Sequence, residues 1–250
     1  MQQIDEKDMD LPQIPLSKSI LLHIFPGILI TICYIILIPI VTLLKVPNRF
    51  ALLISIACVL IPFELGYIIY QCIKKNKTLS FEGVIYFRES LSLWKYVVYV
   101  LILLIYALLI TILLAPLIDN IILNSLFFWV PEWFILTNSF IGYAKNALII
   151  MAIMGLILNG FIGPIVEELY FRGYLLPRIS RLNVAAIILN VFLHSAYHFW
   201  MPWRIPSLVL ALFPAGFIVW KTKNIKLGIL IHVIGNSFGS ILTLIYVLSI

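Results

Sequence analysis

Charged side chains are scarce in this sequence. They make up 11% of its 250 residues, whereas 63% are hydrophobic, and the mean hydropathy is +1.10. A soluble domain typically carries about 25% charged residues, so this composition excludes an ordinary soluble fold and predicts a protein that crosses a membrane several times. The length suits one membrane domain and leaves no room for a second.

Cysteine and the common metal motifs are scarce as well. The three cysteines are Cys33, Cys58 and Cys72, and they lie in or beside apolar runs without a CxxC spacing. They therefore indicate neither a disulfide framework nor a zinc knuckle. The chain has no HExxH motif. Its first residues lack the basic start and short apolar core of a cleaved signal peptide, so we expect 1–19 to be a short cytoplasmic tail.

Long apolar runs are what the sequence does contain. We count about seven candidate spans, and a total between six and eight is compatible with the pattern. They lie at about 20–44, 50–73, 93–118, 147–172, 184–200, 206–220 and 227–247. The predicted fold is an all-α polytopic bundle. We divide it into N-terminal spans and loops over 20–144 and a C-terminal core over 145–247.

The positive charges predict the orientation. With seven spans, 13 of the 17 Lys and Arg residues fall on the face that receives the N-terminus and the loops near 74–95, 172–181 and 221–226. Cytoplasmic loops are rich in Lys and Arg, so this face is predicted to be cytoplasmic. The net charge of +6 is then a property of the loops, and we expect no nucleic-acid partner. The protein is expected in the cell membrane if its source is bacterial.

One stretch, 159–178, brings charge into the apolar core. It places Glu167 and Glu168 side by side, with Arg172 four residues after the second. On a helix Glu168 and Arg172 are neighbours in the favourable order, whereas Glu167 lies about 100° round the helix. Ionisable groups within a membrane are functional candidates by default. The alternative is a helix end at the interface with a solvated charge cluster.

Two further polar pairs occur in late spans. His194 and His198 are four residues apart, as are His232 and Asn236, so each pair shares a helix face. A carboxylate with histidines in a dry site can activate water, and an amide can stabilise an oxyanion. Taken singly, each histidine is more often a hydrogen-bonded packing residue. His23 is expected at the interface, and Glu64 is expected to pair within the bundle or to face a cavity.

The ordered set of motifs resembles a known family. EExxxR at Glu167–Arg172, then His198 preceded by Tyr197, then HxxxN at His232–Asn236 is similar to the CAAX-processing and bacteriocin-processing (CPBP, or Abi) intramembrane proteases. The resemblance covers about 145–247. One departure is His194, which stands where the second family motif usually has Phe.

The resemblance implies roles for these residues. Glu167 would be the main catalytic carboxylate and would act with His198 on the attacking water, while His232 and Asn236 assist. Glu168, Arg172 and His194 would support the site. The resemblance leaves two mechanisms open. In one, Glu167, His198 and His232 hold a zinc ion with water at its open position. In the other, no metal takes part.

We therefore expect an intramembrane endopeptidase of the CAAX-protease type, either metallo- or glutamate-dependent. Its partners would be membrane lipids and a peptide or protein substrate, for example a lipid-modified or bacteriocin-like precursor. The rivals are a non-proteolytic scaffold or immunity protein and a transporter that uses the glutamates as a proton or cation site. For the histidines and Glu167 to meet, the fifth apolar run must be short and end deep in the protein, or be tilted.

Overall fold

The computed structural model describes residues 11–136 and 140–250. Within these ranges the chain forms seven helices of more than ten residues, with no β-strand. They are α1 Leu16–Leu43, α2 Arg49–Asn76, α3 Leu93–Leu126, α4 Lys145–Leu182, α5 Val184–Ala196, α6 Pro202–Thr222 and α7 Ile225–Ser249. The predicted all-α membrane bundle is confirmed. Of the predicted tail, 1–10 lies outside the described residues, and α1 begins within the remainder.

Six of these helices are long and apolar enough to cross a membrane, and α5 is not. Its 13 residues give a length of about 20 Å, against about 30 Å for the hydrocarbon core. The prediction of a fifth span over 184–200 is therefore wrong in length. The helix stops at Ala196, and a short irregular segment leads to α6. This early stop places the end of α5 inside the bundle, as convergence of the histidines requires.

The bundle has a lysine-rich end, where the residues before α1 meet the loops near 74–95, 172–181 and 221–226, and a lysine-poor end opposite to it. At the lysine-rich end, Ile14 donates to the carbonyl of Arg178, and Tyr86 donates to the carbonyl of Gly173, each over 3.0 Å. The segment 80–91 lies at this end, and its Val84, Ile85 and Phe87 are buried beneath the helix ends.

At the lysine-poor end, the loop between α3 and α4 packs against α1 and α2. The side chain of Asn48 donates to the carbonyl of Ile135 over 2.8 Å, and the hydroxyl of Tyr34 donates to the carbonyl of Phe134 over 2.8 Å. Arg204 forms an ion pair with Asp119 over 3.0 Å. Residues 137–139 of this loop lie outside the described ranges.

Helix α4 is loosened where it passes α7. Pro164 has no N–H to bond the carbonyl of Gly160, four residues earlier. Ser237 of α7 donates its hydroxyl to that carbonyl over 3.0 Å, and the amide of Asn236 donates to the carbonyl of Asn159 over 3.1 Å. The polar face of α7 thus satisfies backbone groups that the irregular turns of α4 leave open.

Candidate active site

Glu167 lies where α4, α5 and α7 meet. The hydroxyl of Tyr197 donates to its Oε1 over 2.7 Å, and Nε2 of His194 lies 3.3 Å from its Oε2. On the third side, Nε2 of His232 is 3.8 Å from the same Oε2. The side chain is 12% exposed, so this carboxylate is surrounded by protein but not sealed off. Two donors stabilise its charge in an otherwise apolar region.

Tyr197 reaches Glu167 because α1 allows a close approach. A Cβ on Gly27 would lie 1.9 Å from the carbonyl oxygen of Tyr197, so no larger residue fits there without a shift of the backbone. Tyr197 follows directly after α5, and its ring is fully buried. The short α5 and the glycine on α1 together set the position of the hydroxyl.

Glu168 has different partners from Glu167. It forms the buried ion pair with Arg172 that their spacing predicts. Its Oε1 also lies 3.0 Å from Nδ1 of His232. Because an ionised carboxylate only accepts hydrogen bonds, Nδ1 of His232 is the protonated nitrogen and Nε2 has a free lone pair. That lone pair is on the nitrogen nearest Glu167.

A second glycine makes room for this ion pair. A Cβ on Gly228 of α7 would lie 2.4 Å from Oε2 of Glu168. Both Glu168 and Arg172 are 1% exposed, so the pair lies wholly inside the protein. Helix α7 can therefore approach α4 closely enough to bring His232 onto Glu168.

The two histidines of the HxxxH motif have separate surroundings. His194 is fully buried and stacks on Phe171, with ring centroids 4.2 Å apart. His198 places its Nδ1 3.1 Å from the carbonyl of His194 and 3.3 Å from that of Ser195. A carbonyl only accepts, so this nitrogen carries the hydrogen and Nε2 of His198 has the lone pair. The rings of His194 and His198 lie 6.0 Å apart.

The structure therefore brings some of the predicted site residues together and leaves others apart. The structure brings His194 and His232 onto the two glutamates, with His198 next to them. Asn236 lies one turn further along α7, where it donates to the backbone of α4. His23 is corrected from an interfacial to a fully buried residue. It lies at the packed start of α1, and its Nε2 is 2.9 Å from the side-chain nitrogen of Asn190.

Two groups beside Glu167 were not placed there from the sequence. One is Tyr197, and the other is Glu64, which was expected to pair within the bundle or to face a cavity. Tyr197 entered the motif only as an aromatic residue, yet its hydroxyl gives Glu167 its shortest hydrogen bond. Glu64 of α2 is fully buried and interacts electrostatically with Glu167 and Tyr197. The available signal was a lone carboxylate within the second apolar run. An ionisable group in a membrane span is costly, so one that is present usually has a function.

A cavity of about 200 Å³ lies between this cluster and the lysine-poor end. Its wall includes Asn159, whose carbonyl binds Asn236, and Met201, whose N–H binds the carbonyl of His198. Arg204 also lines it and interacts electrostatically with His198. The cavity thus adjoins the polar cluster on the side of His198 and Asn236.

Residues 149–238 match the family model described as Rce1-like, type II CAAX prenyl endopeptidase. This segment belongs to the CAAX-protease family. The Rce1-like segment holds Glu167, Glu168, Arg172 and all three histidines of the cluster, and it supports a CAAX-type endopeptidase. No curated protein and no solved structure gives a significant match to the chain.

A zinc ion held by Glu167, His198 and His232 would need all three side chains to face one point. Over 11–136 and 140–250, no three His, Cys, Asp or Glu side chains are grouped as metal ligands. Nδ1 of His232 is directed at Glu168, and Nε2 of His194 at Glu167.

Proposed function

We propose that this protein is an intramembrane endopeptidase in which Glu167 activates the attacking water. The observation that carries the proposal is the setting of Glu167. Its carboxylate receives hydrogen bonds from Tyr197 and His194 and has an unprotonated histidine nitrogen 3.8 Å away. A water molecule that donates one hydrogen to Oε2 of Glu167 and the other to Nε2 of His232 would be oriented and polarised.

The chemical step then needs only groups of this chain. The water oxygen bonds to the carbonyl carbon of the substrate, and its proton passes to Glu167. The tetrahedral intermediate carries the negative charge on the former carbonyl oxygen. Glu167 returns the proton to the amide nitrogen, the C–N bond breaks, and a carboxylic acid and an amine are formed. The acid then gives its remaining proton to the amine or to solvent, so that a carboxylate leaves.

Two residues on the cavity side suit the intermediate. Asn236 has a second amide N–H beyond the one bound to Asn159, and it is a candidate donor to the oxyanion. Nε2 of His198 has a lone pair because Nδ1 bonds to backbone carbonyls, so it is a candidate acceptor from the substrate amide. We assign His198 and Asn236 to the substrate side and His232 to the water.

The substrate class follows from the setting and the family. A site surrounded by apolar helices suits a peptide that is presented at the membrane, and the adjoining cavity has mainly apolar walls with Arg49 and Arg204. The matched family is described as a CAAX prenyl endopeptidase. We therefore propose a peptide or protein substrate that is held at the bilayer by a lipid group or by its own hydrophobicity, such as a bacteriocin-like precursor.

The test is cleavage of defined peptides by the purified protein in lipid nanodiscs. The set should pair prenylated with unmodified C-terminal peptides and include hydrophobic precursor peptides, with products identified by mass. We expect cleavage that survives a membrane-permeant chelator and stops in Glu167→Gln. Loss of activity on chelation, with recovery on adding zinc, would contradict the metal-free mechanism. If the folded protein binds these peptides without cleaving any, the scaffold alternative is correct. Ion flux through proteoliposomes would favour the transporter.

A further inference from the structure

Glu64 is the most unusual buried group outside the matched segment. It lies in the loosely wound stretch Ile56–Leu65 of α2, just after Pro62, and it is fully buried. Neither of its carboxylate oxygens has a hydrogen-bond partner among the described residues. A buried carboxylate that is neither paired nor hydrogen-bonded is costly, so an unexplained one calls for a physical reason.

The stretch that contains Glu64 packs against the turn of α4 that ends at Glu167. The two carboxylates are therefore close enough for their charges to repel each other if both are ionised. The phenol groups of Tyr170 and Tyr197 are also within the electrostatic range of Glu64. Two carboxylates close together in a dry region cannot both be ionised at low cost. Glu167 has two donors to stabilise its charge, whereas Glu64 has none.

We propose that Glu64 is held as a neutral carboxylic acid and acts as a positioning residue for Glu167. Its O–H dipole stabilises the ionised form of Glu167, and its proton keeps a second negative charge out of the site. This inference rests on the proposed function for its catalytic consequence. It extends the active site to α2, in the half of the chain that the family match does not cover.

The test compares two substitutions with a control on the same helix. Glu64→Gln keeps a neutral polar group with donors, and Glu64→Leu keeps similar volume without them. Ser55→Ala is the control, because Ser55 is buried on α2 but its hydroxyl bonds only to the carbonyl of Ala51, over 2.7 Å. Infrared difference spectra, melting temperatures and steady-state kinetics would be measured for all variants in nanodiscs.

At neutral pH we expect the wild type to show the C=O stretching band of a protonated carboxylic acid. The band should vanish in Glu64→Gln, persist in Ser55→Ala and shift in Glu167→Gln, where the neighbouring charge is gone. In Glu64→Leu, kcat should fall about 10- to 100-fold, as is typical for outer partners of a site, while KM stays constant and the melting temperature rises. Glu64→Gln should keep kcat within about threefold of the wild type, because the amide is also neutral and keeps a polar N–H group at this position.

Several results would overturn the inference. An unchanged spectrum in Glu64→Gln would mean that Glu64 is ionised. Full kcat in Glu64→Leu would make Glu64 a packing residue, and equal loss in Glu64→Gln and Glu64→Leu would make its proton part of the chemistry. The spectra and melting temperatures need no substrate. If the wild type cleaves nothing, the proposed function fails while the protonation of Glu64 and its coupling to Glu167 are still decided.

Discussion

His232 donates its Nδ1–H to Glu168, the carboxylate that also forms the buried ion pair with Arg172. The spacing of Glu168 and Arg172 alone indicates a pair that helps the protein to fold. The additional bond to His232 gives the pair a second effect, because it fixes which nitrogen of His232 faces Glu167. Folding and the protonation state of the site thus depend on the same carboxylate.

Glu168→Gln should lower both stability and activity. Removing one member of a buried ion pair leaves the other charge uncompensated, which costs about 3–5 kcal/mol. The melting temperature in detergent should fall clearly. The double variant Glu168→Leu/Arg172→Leu removes both charges and should recover much of that stability, yet it should stay inactive because His232 has lost its acceptor. A stable Glu168→Gln protein, or an active double variant, would contradict this account.

Tyr197→Phe should reduce turnover without unfolding the protein. The substitution keeps the buried ring but removes a hydrogen bond to a charged group, worth about 1.5–3 kcal/mol, so kcat should fall about 10- to 100-fold. Tyr34→Phe is the matched control, since the hydroxyl of Tyr34 donates to the carbonyl of Phe134 at the lysine-poor end. Tyr34→Phe should lower the melting temperature and leave kcat almost unchanged. Equal kinetics for both variants would remove Tyr197 from the site.

The cavity can be filled at Gly155. This residue lines it, and a Cβ there would meet no atom within 4 Å. Gly155→Leu should therefore fold and should lower kcat/KM by about tenfold or more, because misplacing the substrate slightly is costly. Gly239 of α7 is equally open and does not line the cavity, so Gly239→Leu is the control. If both variants cleave at the wild-type rate, peptides reach Glu167 by another path.

The orientation can be tested with single cysteines in a variant that lacks the three native ones. Lys77 is exposed at the lysine-rich end, and Lys145 is exposed at the other end. From the charge distribution, we expect Lys145→Cys to react with an impermeant reagent outside intact cells and Lys77→Cys to react only after lysis. The reverse pattern would place the N-terminus outside.

The sequence predicts those parts of the site that depend only on residues close together in the chain. Spans follow from apolar runs, and the Glu168–Arg172 pair follows from their spacing on a helix. The length of α5 was harder to predict. Residues 197–200 are aromatic enough to continue the apolar run, but the helix ends at Ala196 and the rings of Tyr197 and Trp200 pack against each other. The bond between His232 and Glu168 joins residues 64 positions apart. It depends on how closely Gly228 lets two helices approach, which no local pattern records.

Glu64 and Asn236 illustrate the same limit. The sequence shows a carboxylate in the second span, but its nearness to Glu167 depends on the packing of α2 against α4. Asn236 was predicted from its motif as a group for catalysis. The structure gives it a backbone partner at Asn159, because Gly163 and Pro164 disturb the hydrogen bonding of α4 nearby. Contacts of this kind join turns that are far apart in the sequence, so only the folded structure reveals them.

The central claim is that Glu167 is the base. Its most direct test is the cleavage rate of Glu167→Gln beside the wild type in nanodiscs, with melting temperatures for both and with Glu82→Gln, an exposed carboxylate at the lysine-rich end, as the control. We predict unchanged melting and a rate at least about 100-fold lower for Glu167→Gln, since a general base contributes about 10²–10⁴-fold, and a wild-type rate for Glu82→Gln. Near-normal cleavage by folded Glu167→Gln would contradict the account.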